Sequence, residues 1–75
     1  MQNDIKARLE NDYTYHPPKP DQIERYQRIR DGAKVLALLI ADLVPRSREQ
    51  SLAFTYLEQA VMIANAGIAR NEVAE

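Results

Sequence analysis

Seventy-five residues with no cysteine and one histidine leave room for a single small domain, without disulfides, thiolate zinc or a histidine-rich metal site. The formal net charge is −1, with ten Lys and Arg against eleven Asp and Glu, which is not the basic excess of a protein that coats DNA or RNA. A chain this short encloses little core: even compact, it would expose about 4,700 Å². With disulfides and metal excluded, self-association is the stabilising device that remains.

In chain order, residues 1–12 read as an N-terminal helical arm. Asp4 lies near the start of a short helix over 3–10, and Ile5 and Leu9 fall one turn apart. Such a helix is too short to be stable alone. The segment is polar and carries both signs of charge, so no secretory signal is expected. Residues 13–20 form a linker, because Pro17, Pro18 and Pro20 remove donors and push the preceding residues toward extended conformations. Residues 21–71 form a helical hairpin. Its first helix opens at Asp21, which has capping-box spacing to Glu24, or one residue earlier with Pro20 as first helical residue. It continues to about Val44, where Pro45 stops it. Ser47 then caps a second helix, with Gln50 completing another capping box, and that helix runs to about Arg70. A connection of about three residues forces the two helices antiparallel. The predicted fold class is all-α: short helix, proline-rich linker and long antiparallel hairpin in one domain spanning 1–75.

Periodicity defines what the hairpin faces. Tyr26, Ile29, Ala33, Leu36, Ala37, Ile40 and Leu43 recur at threes and fours. Ala53, Leu57, Ala60, Ala64 and Gly67 do the same on the second helix, with Val61 and Ile68 beside them. These stripes are predicted to hold the hairpin together. Residues 35–41 go further, being apolar without interruption. Such a run is too short to span a bilayer, yet in a helix it points in every direction and demands burial on all sides. One partner helix covers one side, so Val35, Leu38 and Leu39, together with Phe54, Tyr56 and Ile63, call for other copies of the chain. The expectation is a soluble homo-oligomer.

No phosphate-binding glycine loop and no Cys–His pair occurs, and Ser47, one of two serines, is already used as a cap. Binding is expected rather than catalysis, with no cofactor. Arg30 and Lys34 are i, i+4 neighbours beside the apolar stripe, with Arg25 and Arg28 just upstream. Tyr15 and His16, with Pro17 after them, lie in the stiff segment leading to the same end of the helix. Aromatic faces beside cationic groups suit a base stacked near its phosphate. The plainer alternatives are that Arg25 and Arg28 pair with Glu24 and Asp31, and that His16 satisfies a backbone carbonyl. Asn65, Arg70 and Asn71 make a second polar cluster, although Arg70 also suits a helix C-terminus on charge alone.

The run Tyr15, His16, Pro17, Pro18, then Gln22, Arg25, Tyr26, Ile29, Arg30, Ala33 and Lys34, resembles a phage anti-defence family. So does the second helix, from Ser51, Leu52 and Ala53 through Asn65, Gly67 and Arg70 to Glu72. Over residues 15–72 the chain is similar to the hairpin domain shared by the anti-CBASS cyclic-nucleotide sponges and the Thoeris anti-defence sponges. The resemblance implies a phage protein acting in the cytoplasm of an infected bacterium. It implies a homo-oligomer, a hexamer for the anti-CBASS type, that sequesters cyclic di- or trinucleotides without cleaving them. Thoeris-type members capture a cyclic ADP-ribose isomer and carry extra sequence, so the anti-CBASS type is favoured here. On this basis Tyr15 and His16 would stack on bases, Arg30 and Lys34 would hold phosphate, and Arg28 would assist from the rim. Asn65 and Arg70 would serve a second site. The rival expectations are an oligomeric adaptor binding protein only, a helical DNA-binding dimer and, weakest, a small hydrolase.

Overall fold

The structure is a computed structural model and describes residues 3–15 and 17–72. Three helices follow in order, α1 (Asn3–Tyr13), α2 (Pro20–Leu43) and α3 (Arg48–Asn71), with no strand among the described residues. The all-α architecture with a long helix pair is as expected.

α1 runs past Glu10 because the Thr14 hydroxyl donates to the Glu10 carbonyl and closes the last turn. α2 takes the earlier of its two possible starts. Pro20 is the first helical residue, where its missing N–H costs nothing. The Lys19 carbonyl accepts from Gln22 N at 3.0 Å and Ile23 N at 3.1 Å. Gln22 Oε1 in turn accepts from Lys19 N at 3.0 Å. Lysine has no side-chain acceptor, so only this return half of a capping box is made. The expected Asp21–Glu24 box does not form. Asp21 already lies inside the first turn, where its carboxylate meets the positive end of the helix dipole and pairs with Arg25 at 3.2 Å.

The turn is built as expected at Ser47 and differently at Gln50. Ser47 Oγ accepts from Gln50 N at 3.1 Å. The Gln50 side chain does not return to Ser47. It donates from Nε2 to the Val44 carbonyl at 3.0 Å, satisfying an acceptor orphaned where α2 stops.

At the open end, Gln22 is 4% exposed and donates toward the Glu72 carbonyl at 3.4 Å. Arg25 grips the Glu72 carboxylate with both terminal nitrogens, Nη1 to Oε2 at 2.9 Å and Nη2 to Oε1. The Arg25 and Arg28 pairings with Glu24 and Asp31 do not occur: Arg25 is taken by Asp21 and Glu72, and Asp31 accepts from Gln27 Nε2 at 2.8 Å. The hydrogen bond from Arg25 holds the Glu72 carboxyl below its ordinary value of 4.5, against an opposing push from desolvation. A carboxyl depressed in the folded state contributes stability at neutral pH, and that contribution fades as pH falls through 4.5 toward the folded value. Acidification is therefore expected to open this end first. Amide exchange between pH 7 and 4 checks it: protection at residues 68–71 should fall more than at 50–60, and Glu72→Gln should remove the difference.

Between turn and base the helices meet along a seam of Tyr26, Ile29, Ala33, Ala37 and Ile40 from α2, with Val44 just past its end, against Phe54, Leu57, Val61 and Ile68 from α3, all half-buried. Two expected stripe positions are displaced on each helix. Leu36 and Leu43 are exposed, since the 3.6-residue period carries Ala37 and Val44 to the seam instead. Ala60 and Ala64 are exposed likewise, with Val61 in their place.

Among the described residues no apolar side chain is fully buried. The chain exposes 6346 Å², against the roughly 4,700 Å² of a compact chain of this mass. Its extents of 48 × 32 × 13 Å give the reason. A body 13 Å thick is one helix deep, and one layer offers nothing to cover its two faces. Val35, Leu38, Tyr56 and Ile63 are each more than 60% exposed on those faces. By length and composition α3 is also long and apolar enough to cross a membrane, which the count of consecutive apolar residues did not anticipate. Phe54, Leu57, Val61 and Ile68 on it are half-buried, and Glu58 and Gln59 interrupt its exposed part.

Candidate functional site

The i, i+4 spacing sets Arg30 and Lys34 on one edge of α2, and the antiparallel turn brings Phe54, Glu58 and Met62 of α3 opposite them. Together with small residues on the seam, these side chains border a groove of about 520 Å³. Its floor is apolar because Ala33 and Ala37 are short enough to leave the Phe54 ring accessible. Its lip is charged. Among the described residues Arg30, Lys34 and Glu58 form no ion pair or hydrogen bond, in contrast to Arg25 and Arg70. Uncommitted cations beside apolar surface, where the effective dielectric constant is lowered, are what an anionic ligand with flat apolar parts requires. Arg30 can offer a planar fork and Lys34 a point charge to phosphate oxygens.

The other predicted site residues are distributed around this groove rather than in it. Arg28 is two residues from Arg30 and so lies on the opposite face, beside Gly32, Leu36, Ala60 and Ala64. Tyr15 and Pro17 are exposed in the linker and do not border the groove of their own chain. His16 lies outside the described residues. Arg70 is engaged: its Nε stands 3.6 Å from Asp12 Oδ1, and its carbonyl accepts from Asn11 Nδ2 at 2.9 Å. These contacts hold α1 against the end of the hairpin. Asn65 and Arg70 do not share a recess, since five residues carry them well apart around the helix. Asn65 Oδ1 is buried and has no hydrogen-bond partner among the described residues, and an orphaned acceptor of this kind marks a place where a donor is wanted.

Phe54, Glu58 and Met62 are absent from the residues predicted to bind. Their spacing of four marks one edge of a helix, and each lies about as far from the turn as its partner on α2. Reading the hairpin in antiparallel register would have placed Glu58 opposite Lys34.

The fold is a helical-hairpin module whose groove is bordered by cations that, among the described residues, make no ion pair. The family model described as the Acb2/Tad1 hairpin domain matches residues 5–69. That span is most of the chain, and the chain belongs to this family, which fits phage sponge proteins. No curated protein and no solved structure matches.

Proposed function

We propose that this chain is a phage sponge that captures cyclic oligonucleotide second messengers without cleaving them and thereby blunts CBASS immunity in the infected bacterial cytoplasm. The observation that carries this is the uncommitted Arg30 and Lys34 pair on the lip of the Phe54 groove. Membership of the sponge family supports binding over catalysis.

Magnitudes favour a site shared between chains. Nanomolar affinity needs about 12 kcal/mol. Each charge-assisted hydrogen bond contributes roughly 1.5–3 kcal/mol and each stacked base about 1–3 kcal/mol. One groove falls short once the cost of association is subtracted. Two grooves across a two-fold axis suffice, and they match the symmetry of a cyclic dinucleotide. The uncovered faces provide for such assembly, in a homo-oligomer that we take to be a hexamer. In it Tyr15 and His16 of a neighbouring chain complete the aromatic wall that one protomer lacks, and Arg28, on the opposite face of α2, lends charge at the rim of an adjoining copy's groove. Arg70, once Asp12 releases it, and Asn65, whose Oδ1 lacks a donor, serve a second site that a neighbouring copy must bring together, since they share no recess within one chain.

The test is capture and release. The purified chain is titrated with a cyclic dinucleotide, examined by native mass spectrometry and then denatured. A bound nucleotide recovered intact is expected. Hydrolysed nucleotide contradicts sequestration, and no bound nucleotide across cyclic di- and trinucleotides contradicts the function.

A further inference from the structure

The sequestration reading explains Arg30, Lys34 and Phe54 and leaves Glu58 without a purpose. A carboxylate beside the two cations weakens the hold on any phosphate, because it repels the ligand and competes for its partners. It is not there to neutralise them by contact, since among the described residues no ion pair joins Glu58 to Arg30 or Lys34. Glu58 stands one turn from Phe54 and one turn from Met62 on the same edge of α3, bordering the same groove. A base laid on the Phe54 ring, with its phosphate drawn across to Arg30 and Lys34, would lie in the groove that this carboxylate borders.

We propose that Glu58 reads the edge of that base and makes the groove selective for guanine, a proposal that rests on the sequestration reading. An ionised carboxylate only accepts hydrogen bonds, and it accepts two in parallel when the donors lie side by side. Guanine alone among the bases presents two adjacent donors on its Watson–Crick edge, N1–H and the N2 amino group. Adenine offers the N6 amino group next to the N1 lone pair, which a carboxylate repels. Uracil offers one N–H between two carbonyls, and cytosine one amino group beside a lone pair. The ligand class is therefore a cyclic oligonucleotide containing guanine, with its phosphates on Arg30 and Lys34 and its guanine edge on Glu58.

The experiment is calorimetric titration of the full chain and of Glu58→Gln with cyclic di-GMP and cyclic di-AMP. Wild type should bind cyclic di-GMP tighter by about 100- to 10,000-fold, the value of two bidentate charge-assisted pairs, one at each guanine of the two-fold site. Glutamine keeps the shape of the side chain at an exposed position, and its amide can donate to adenine N1 while accepting from N6. Glu58→Gln should therefore lose most of its affinity for cyclic di-GMP and gain affinity for cyclic di-AMP. If Glu58 acts only through its charge, the substitution tightens both ligands by the same factor, and the unchanged ratio overturns the proposal while leaving sequestration standing. A wild type that prefers cyclic di-AMP also overturns it. A wild type that binds neither ligand, nor any cyclic trinucleotide, overturns the sequestration reading itself.

Discussion

Arg30→Ala combined with Lys34→Ala is expected to weaken cyclic-dinucleotide binding by at least about a thousandfold while leaving the assembly intact. Each cation supplies a contact worth roughly 1.5–3 kcal/mol when the partner is a phosphate, and every 1.4 kcal/mol is about tenfold in affinity. In a two-fold site each substitution counts twice. Both side chains are exposed and neither is held by an ion pair among the described residues, so their removal frees no buried partner. Arg46 lies in the turn, outside the groove, and is equally exposed. Arg46→Ala is the matched control and should change affinity by less than about threefold, as a screened surface charge does. Calorimetry reads both, with circular dichroism checking that the helices persist. Equal losses in the two variants would mean that the effect is general electrostatics rather than this groove.

The second large effect concerns the apolar belt. Leu38→Glu is expected to dissociate the assembly and with it the ligand site. Leu38 is 61% exposed in the single chain, and the residues around it on α2 are apolar in every direction. Covering a leucine contributes about 1.5–3 kcal/mol, whereas confining an unpaired carboxylate in the same contact costs several kcal/mol more. The substitution is repeated in every subunit, so the penalties accumulate. Sedimentation should show wild type as a multiple of the 8.6 kDa chain and the variant near one chain. Much of the helical signal should also disappear, because the lone hairpin buries no apolar side chain completely. A variant that keeps the wild-type mass would move the contact surface away from residues 35–41.

Legibility in the sequence followed the range of the interactions. Pro45 and Ser47 act within one turn of their own position, and the hairpin reversal was readable from them alone. The uncovered apolar surface at Val35 and Leu38 was readable too, because seven consecutive apolar residues cannot all be covered by one neighbouring helix. The start of α2 was readable only as a choice, since Pro20 at the first helical position and the Asp21–Glu24 spacing obey equally good local rules. The Gln50 side chain left its expected partner for Val44, an acceptor that is free only because α2 happens to end there. The seam was misplaced at Leu43 and Ala60 because apolarity marks two adjacent stripes on each helix, and pattern alone does not say which one faces the hairpin and which faces another chain. The groove's edge on α2 was legible, because Arg30 and Lys34 are close in sequence. Its edge on α3 was legible only through the antiparallel register, which brings Glu58 to the same groove as Lys34. Arg70 reads in sequence as a helix C-terminal charge or a ligand contact and is joined in the structure to Asp12, 58 residues earlier in the chain.

The central claim is that cations on one protomer hold a cyclic nucleotide in a site that only an assembly completes. Native mass spectrometry of the chain with a cyclic dinucleotide counts subunits and ligands in one spectrum. An assembly of several 8.6 kDa chains that carries one ligand for every two of them is expected. A single chain binding one ligand, or an assembly that carries none, contradicts it.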